Sequence, residues 1–202
     1  MALVVLAAVS SDVLHVADAD AGLIASTCKK TKNPATCVAM LSADRRSAIA
    51  ITVHGLANTA LLIAIDTVYN NTAAIIDLYQ NLEGTPEGGA LAVCNDAYLE
   101  ADNDLEQWRT YVVASGGLGP HSIHGPPRTR SATDLELQAR LALDYLNYAG
   151  ASRVILLAKG AGDACENAFK AINKKSPLTD MDRQMTERCG VTADLMDLLA
   201  SK

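Results

Sequence analysis

The most informative segment of this sequence reads Cys28-Lys29-Lys30-Thr31-Lys32-Asn33-Pro34-Ala35-Thr36-Cys37. Its two cysteines bracket a short polar segment, and Asn33-Pro34 supplies a turn between the arms. A close pair of this kind suits a disulfide across a tight hairpin. Cys94 and Cys165 lie far apart on long helical stretches, where a disulfide would join two helices, and Cys189 is left over.

The cysteine spacings also bear on chemistry and on the cellular compartment. Neither pair has the Cys-x-x-Cys spacing of a zinc knuckle or of a redox motif. We therefore predict that four of the five cysteines form two disulfides. Because disulfides persist in oxidising compartments, they favour a secreted protein.

The composition predicts one helical domain. The chain has 202 residues, half of them apolar, and it is rich in Ala and Leu with only one Trp and one Phe. The net charge of −6 argues against nucleic-acid partners and against binding to an anionic membrane surface. No apolar run reaches the roughly 18 residues that suggest a membrane span.

The amino terminus has the features of a secretory signal. An apolar run from Ala2 to Val9 is followed by small residues at Ala19 and Ala21, which fit a signal-peptidase site. We predict a signal peptide over residues 1–21 and a mature domain over 22–202, the alternative being a leader without a targeting role. In a secreted protein, the sequon Asn70-Asn71-Thr72 makes Asn70 a candidate for glycosylation.

Apolar periodicity places the long helices. A small helical hairpin is predicted over Gly22–Leu41, and a long helix from Ser47 to Leu82 carries two apolar stripes that should pack against two neighbours. The first stripe is Ile49, Val53, Leu56, Ala60 and Ile63, and the second is Leu62, Ile65, Tyr69, Ile76 and Tyr79. Thr85-Pro86 starts the next helix, which carries Leu91, Cys94, Tyr98, Ala101, Leu105, Trp108 and Val112 at heptad-like spacing.

The second half of the chain is less regular. Glycines and prolines exclude regular structure over Ser115–Arg130, after which Thr133 and Glu136 resemble a capping box. Val154–Leu157 reads locally as a strand, but it would lack a partner, so we predict a broken helix that reaches Phe169. Thr179 opens the last helix, on which Cys189 is predicted to be a buried free thiol.

The sequence contains no catalytic constellation. It has no nucleophile elbow, no phosphate-binding loop and no dinucleotide fingerprint. His121 and His124 lie three residues apart in a Gly/Pro loop without a nearby acid or cysteine. The acidic residues of the second long helix suit a solvated face. We therefore predict a protein that is not an enzyme and that binds no metal and no cofactor.

Several blocks resemble one known family, the plant inhibitors of invertase and pectin methylesterase. The opening block is Cys28-Lys-Lys-Thr31-x-Asn33-Pro34-x-x-Cys37, followed by Leu41 and Asp44-Arg45-Arg46-Ser47. The later blocks are Cys94-x-x-x-Tyr98-x-x-Ala101-x-x-x-Leu105, Asp163-Ala-Cys165-Glu-Asn-Ala-Phe169 and Lys175-Ser176-Pro177. They occur in family order and span most of residues 22–200.

The resemblance implies both fold and function. It implies an all-α, up-and-down four-helix bundle with an N-terminal helical hairpin, and disulfides that join Cys28 to Cys37 and Cys94 to Cys165. It also implies a secreted inhibitor in the apoplast or cell wall, which forms a reversible complex over the substrate cleft of an invertase or a pectin methylesterase. The alternative from another functional class is a helical carrier of a small apolar ligand.

One block differs from the family pattern. Family members that inhibit invertase can carry Pro-Lys-Phe upstream of the fourth cysteine, where this chain has Ala151-Ser152-Arg153. Arg153 supplies a cation at that place, so Ser152 and Arg153 are the candidate contacts with a target enzyme. A projecting cation suits the paired carboxylates of a glycosidase, whereas the acidic second helix suits a basic surface on a pectin methylesterase.

Overall fold

Every described element of the protein is helical apart from the connecting turns. The computed structural model describes residues 21–116 and 148–201, with side chains for 21–106, 109 and 148–201. The helices are α1 (21–28), α2 (Pro34–Ala43), α3 (Val53–Leu82), α4 (Pro86–Gly116), α5 (Tyr148–Ala158), α6 (Gly160–Ala171) and α7 (Thr179–Ala200), with a 3-10 turn at Arg45–Ile49. The predicted all-α class is confirmed.

Four helical members form a closed bundle. α3 packs between α4 and α7, while α5 and α6 form one broken member that packs between α4 and α7 on the other side. α4 and α6 are antiparallel. Cys94 joins Cys165, whereas Glu87, which precedes Cys94 on α4, pairs with Lys174, which follows the end of α6. The up-and-down bundle is confirmed, and so is the predicted break before the segment that reaches Phe169.

The N-terminal hairpin consists of α1 and α2. A disulfide between Cys28 and Cys37 joins these two helices, and the Cα atoms of the two cysteines lie 5.5 Å apart. The Asn33 side chain accepts a hydrogen bond from the Thr36 backbone N–H, and proline follows it at the start of α2, which is a favourable helix start. The backbone N–H of Lys32 donates to Asp194 Oδ2 at 2.7 Å and thereby docks the hairpin on α7.

The heptad-like stripe of α4 forms part of the core. Its described members are all buried: Leu91, Cys94, Tyr98, Ala101 and Leu105. Trp108 and Val112 belong to the same helix, but their side chains lie outside the described set. Thr85 Oγ1 accepts a hydrogen bond from the Gly88 backbone N–H, which confirms the predicted start of α4.

α3 begins later than predicted, at Val53 instead of Ser47. The Asp44 side chain accepts a hydrogen bond from the Arg46 N–H and starts the separate 3-10 turn. Thr52 then caps α3 by accepting from the Gly55 N–H at 3.0 Å. The Thr52 cap therefore divides what periodicity predicted as one helix, and Ile49 lies 73% exposed outside α3.

Two other predictions can be compared with the structure. Val154–Leu157 is helical, as predicted, within α5. α7 begins at Thr179 as predicted, but its first turn has no side-chain cap and Asp182 is buried in the bundle. The predicted breaker segment lies outside the described residues except for Ser115 and Gly116, which are helical and end α4, so the prediction was wrong at these two positions. The Thr133/Glu136 capping box and both loop histidines also lie outside the described residues.

α3 is the one helix among the described residues that is long and apolar enough to cross a membrane. The window that passes this test is 61% buried inside the bundle. Length and composition cannot separate a membrane span from the core helix of a bundle, and here the packing accounts for the apolar residues.

Candidate interaction surface

A disulfide ties α4 to α6. Cys94 on α4 and Cys165 on α6 are bonded, with their Cα atoms 4.4 Å apart. The pairing is the one that the family resemblance implies. Because the bond joins helices that also pack along their length, it gives this side of the bundle a fixed shape against which a partner can dock.

A row of side chains on α4 carries two carboxylates. Val93, Ala97, Glu100 and Asp104 follow each other at spacings of four, three and four along one face of the helix, roughly a quarter-turn away from the buried stripe that contains Cys94. Val93 and Glu100 are exposed, whereas Ala97 and Asp104 are half-buried. The row therefore offers one apolar contact and two carboxylates along α4.

The carboxylates of α4 affect one another. Partial burial raises the pKa of Asp104, and the nearby Glu100 carboxylate raises it further. Partial burial likewise raises the pKa of Asp102, with a contribution from Glu106. Concentrated negative charge of this kind suits a partner that presents Lys or Arg.

The structure separates the two predicted contact residues on α5. Arg153 is exposed, which fits a cation that meets a partner. Ser152 is only 3% exposed, because successive residues of a helix point in different directions and its own faces the bundle. A contact with a target enzyme would require Ser152 to lie at the surface, but Ser152 is buried.

α5 also exposes two leucines that sequence reasoning did not single out. Leu156 and Leu157 are 45% and 66% exposed, and Leu157 follows Arg153 by one helical turn. A cation beside exposed leucines is the composition of an interaction surface rather than of a solvated face. The sequence could have indicated this exposure. Ala151, Ile155 and Ala158 follow helical spacing and are buried, whereas the two leucines lie off that stripe.

A second apolar surface lies along α3 and α4. Tyr69, Ile76 and Tyr79 are 71%, 44% and 37% exposed, so the stripe predicted to pack against a neighbour faces solvent at these positions. The prediction was wrong there because α4 and α7 cover only the other sides of α3. Ile76 and Tyr79 line a shallow groove of about 280 Å³ together with Asp96 of α4.

The glycosylation candidate lies on the same helix. Asn70 is exposed in the middle of α3, and the hydroxyl of Thr72, the third residue of its sequon, donates to the Val68 carbonyl oxygen. The asparagine side chain is therefore accessible in the folded protein. Whether it carries a glycan stays a prediction.

No group of metal-ligating side chains occurs among residues 21–116 and 148–201. His54 is half-buried and packs edge-on against Tyr148, with ring centroids 6.1 Å apart. The other three histidines, His15, His121 and His124, lie outside the described residues.

The family assignment rests on a match that covers most of the chain. Residues 22–195 match the model of the plant invertase/pectin methylesterase inhibitor family. The chain belongs to this family. No curated protein matches this chain at a significant level.

Solved structures agree with the assignment at the level of the fold. A mutant form of a pectin methylesterase inhibitor from Arabidopsis aligns with a TM-score of 0.61 at 16% identity, covering 87% of this chain and 95% of that one. A second pectin methylesterase inhibitor from Arabidopsis thaliana aligns with a TM-score of 0.54 at 15% identity, with the same coverage of both chains. At such identities the likeness shows a shared bundle.

Proposed function

We propose that this protein inhibits a pectin methylesterase by forming a reversible complex over the substrate cleft of the enzyme. The observation that carries the proposal is the family match over residues 22–195 on a disulfide-tied four-helix bundle. Both structural neighbours are pectin methylesterase inhibitors, which favours that enzyme over an invertase as the target.

The acidic row on α4 is the surface that we assign to the target. Glu100 is exposed and Asp104 half-buried on α4, a helix that the Cys94–Cys165 disulfide ties to α6, so their carboxylates are held on a rigid support. Preorganised charges lose little conformational freedom on binding and attract a basic partner at long range. The encounter should therefore be faster at low salt, because dissolved ions screen exposed charges.

Charge reversal tests this surface. We expect Glu100→Lys to weaken binding to an immobilised pectin methylesterase at least tenfold, mostly through slower association. Asp77→Lys makes the same charge change at an exposed position on α3 and serves as the control. Equal effects of the two variants would show that only net charge matters and would remove α4 from the interface.

Invertase is the second candidate target, and Arg153 is the observation that favours it. Its exposed guanidinium stands one helical turn from exposed Leu157, where a desolvated carboxylate of a glycosidase could meet it. Arg153→Glu should abolish measurable inhibition of an invertase while the melting temperature stays unchanged. Unchanged inhibition together with a large loss of stability would make Arg153 a structural residue.

The carrier alternative predicts uptake of an apolar ligand. The described helices bury their apolar residues against one another, and the grooves that described residues line, of about 280 to 620 Å³, are open to solvent. A bundle of this kind should not enhance the fluorescence of an apolar dye in its native state. Stoichiometric dye binding without enzyme inhibition would favour the carrier.

We also propose that the protein acts outside the cell, after removal of residues 1–21. Two disulfides in the folded domain support an oxidising compartment. Mass spectrometry of the protein recovered from culture medium would show an N-terminus at Gly22 and would report any glycan on Asn70. Retention of an intact chain inside the cell would contradict this part of the proposal.

A further inference from the structure

Polar side chains from all four members of the bundle meet in its core. Asn71 of α3 donates a hydrogen bond of 3.1 Å to the hydroxyl oxygen of Tyr98 on α4, and that hydroxyl donates at 2.7 Å to Asp182 Oδ1 on α7. Glu166 of α6 follows Gly162, which faces the Asp182 backbone, by one helical turn, and its carboxyl group acts on that of Asp182. Asn71, Tyr98 and Asp182 are each 5% exposed or less.

Two carboxyl oxygens at this meeting point lack a donor. Asp182 Oδ2 and Glu166 Oε1 are both buried, and among the described residues neither accepts a hydrogen bond from an N–H or O–H group. A carboxylate can only accept, so two carboxylates can bond to each other only when one of them carries a proton. A single proton between the two groups satisfies both oxygens at once.

We propose that the folded protein holds one shared proton between Asp182 and Glu166, and that its release on raising the pH destabilises the α6–α7 side of the bundle. The device would contribute stability that is greatest in acid. It does not depend on which enzyme the protein binds.

The surroundings of Asp182 favour the protonated form. Burial is the main cause that raises the pKa of Asp182, to about 7, and the acidic groups of α6 that face it, Glu166 and Asp163, raise it further. From α4 the hydroxyl of Tyr98 stabilises the ionised form and opposes this shift, while α3 presents the neutral amide of Asn71.

The direction of the pH effect follows from this pKa. An aspartate in the unfolded chain ionises near pH 3.9, so the folded state binds the proton more tightly than the unfolded state does. The resulting stability is fully present below the unfolded pKa. It is lost progressively as the pH rises toward and through about 7.

The helices leave the ionised pair little room to separate. A Cβ placed on Gly162 of α6 would lie 2.9 Å from the Asp182 carbonyl oxygen, so the two helices are nearly in backbone contact beside the pair. Two ionised carboxylates could therefore relieve their repulsion only by moving α6 away from α7 or by admitting water. Either change should loosen this side of the bundle.

Two measurements on the native protein test the inference. Carbon-detected nuclear magnetic resonance should show that the carboxyl carbon of Asp182 titrates above pH 6, and hydrogen exchange in α6 and α7 should accelerate as this group ionises, after correction for the intrinsic pH dependence of exchange. Ordinary titration of Asp182 below about pH 5 would overturn the proposal.

Thermal unfolding of variants provides the second test. Asp182→Asn keeps the shape of the side chain, and its amide can donate to Glu166 while its oxygen accepts from Tyr98. We expect the melting temperature of the wild type to fall between roughly pH 5 and 8, and that of Asp182→Asn to stay level.

Controls separate this device from general charge effects. Asp77→Asn removes an exposed carboxylate and should keep the pH dependence of the wild type. If Asp182→Asn does not fold, Glu166→Gln provides the same comparison from the other partner. A variant of the pair that folds and keeps the full pH dependence would contradict a shared proton.

Discussion

Tyr98 and Asp182, separated by 84 residues in the sequence, are joined by a hydrogen bond of 2.7 Å in the core of the bundle. Tyr98 is fully buried, and its hydroxyl both donates to Asp182 and accepts from Asn71. Burial is the main cause that raises the pKa of Tyr98, so its hydroxyl keeps its proton at physiological pH. One side chain thus connects α3, α4 and α7.

Removal of that hydroxyl should destabilise the protein without changing its fold. Tyr98→Phe keeps the ring in place but removes the hydrogen-bond partner of Asp182 Oδ1 and of the Asn71 amide. Because these buried polar groups then lack that partner, the free energy of unfolding should fall by about 1–3 kcal/mol. Denaturant unfolding measures this cost. Tyr79→Phe removes a hydroxyl from a partly exposed ring and should have little effect, so equal losses in both variants would contradict the role of the Tyr98 bond.

The two disulfides should contribute unequally to stability. The chain-entropy estimate gives roughly 3 kcal/mol for a loop as short as that of Cys28–Cys37 and about 4 kcal/mol for one as long as that of Cys94–Cys165. Replacing each pair with serine and comparing the unfolding free energies checks this order. A larger loss for the hairpin pair would mean that hairpin docking outweighs the constraint on the unfolded chain.

The free thiol of Cys189 should be inert in the native protein. It is fully buried on α7, and burial raises the pKa of this thiol to about 12, so almost no thiolate exists at neutral pH. A thiol reagent should modify no cysteine before unfolding and one after it. Rapid modification under native conditions would show that α7 opens locally.

Close packing of α6 against α7 predicts different outcomes for two glycines of the same helix. The added methyl group of Gly162→Ala would meet the Asp182 backbone and should cost about 1–3 kcal/mol. Gly160→Ala meets nothing within 4 Å and should leave stability unchanged or raise it slightly. Thermal unfolding distinguishes them, and equal melting temperatures would contradict the close approach of the two helices.

The attachment of the N-terminal hairpin depends on one carboxylate. Asp194 accepts the Lys32 backbone N–H at 2.7 Å and pairs with its ammonium group at 3.0 Å. We expect Asp194→Ala to accelerate hydrogen exchange at the Lys32 amide several-fold, because that donor loses its buried partner. Asp197→Ala removes an exposed carboxylate one turn away and should leave that exchange rate unchanged.

Local patterns in the sequence predict the helices well where packing follows periodicity. The α4 stripe from Leu91 to Leu105 is buried as its spacing predicts. Periodicity also predicted that Tyr69 on α3 packs against a neighbouring helix, but this side chain is exposed. An apolar stripe shows that a helix could pack there and does not show that one does. The cap at Thr52 is visible in the sequence, but the apolar spacing that continues from Ile49 to Val53 across it favours a single helix.

Long-range polar contacts lie beyond sequence reasoning. Asp182 follows Thr179 by three residues and resembles part of a helix start, and nothing local indicates that it points to Tyr98. For Arg153 and Ser152, the motif comparison gives a position in the chain, whereas only helix orientation decides which of the two reaches solvent. Exposure therefore supports Arg153 as a contact and not Ser152.

Titration of pectin methylesterase activity with the purified, oxidised protein is the decisive test of the proposed inhibition. We expect activity to fall to near zero at an equimolar ratio, to recover on dilution, and to be no longer inhibited once the disulfides are reduced. A parallel titration of an invertase shows whether the inhibition is selective. Full pectin methylesterase activity in the presence of excess folded protein, from acidic to neutral pH, would contradict the proposed function.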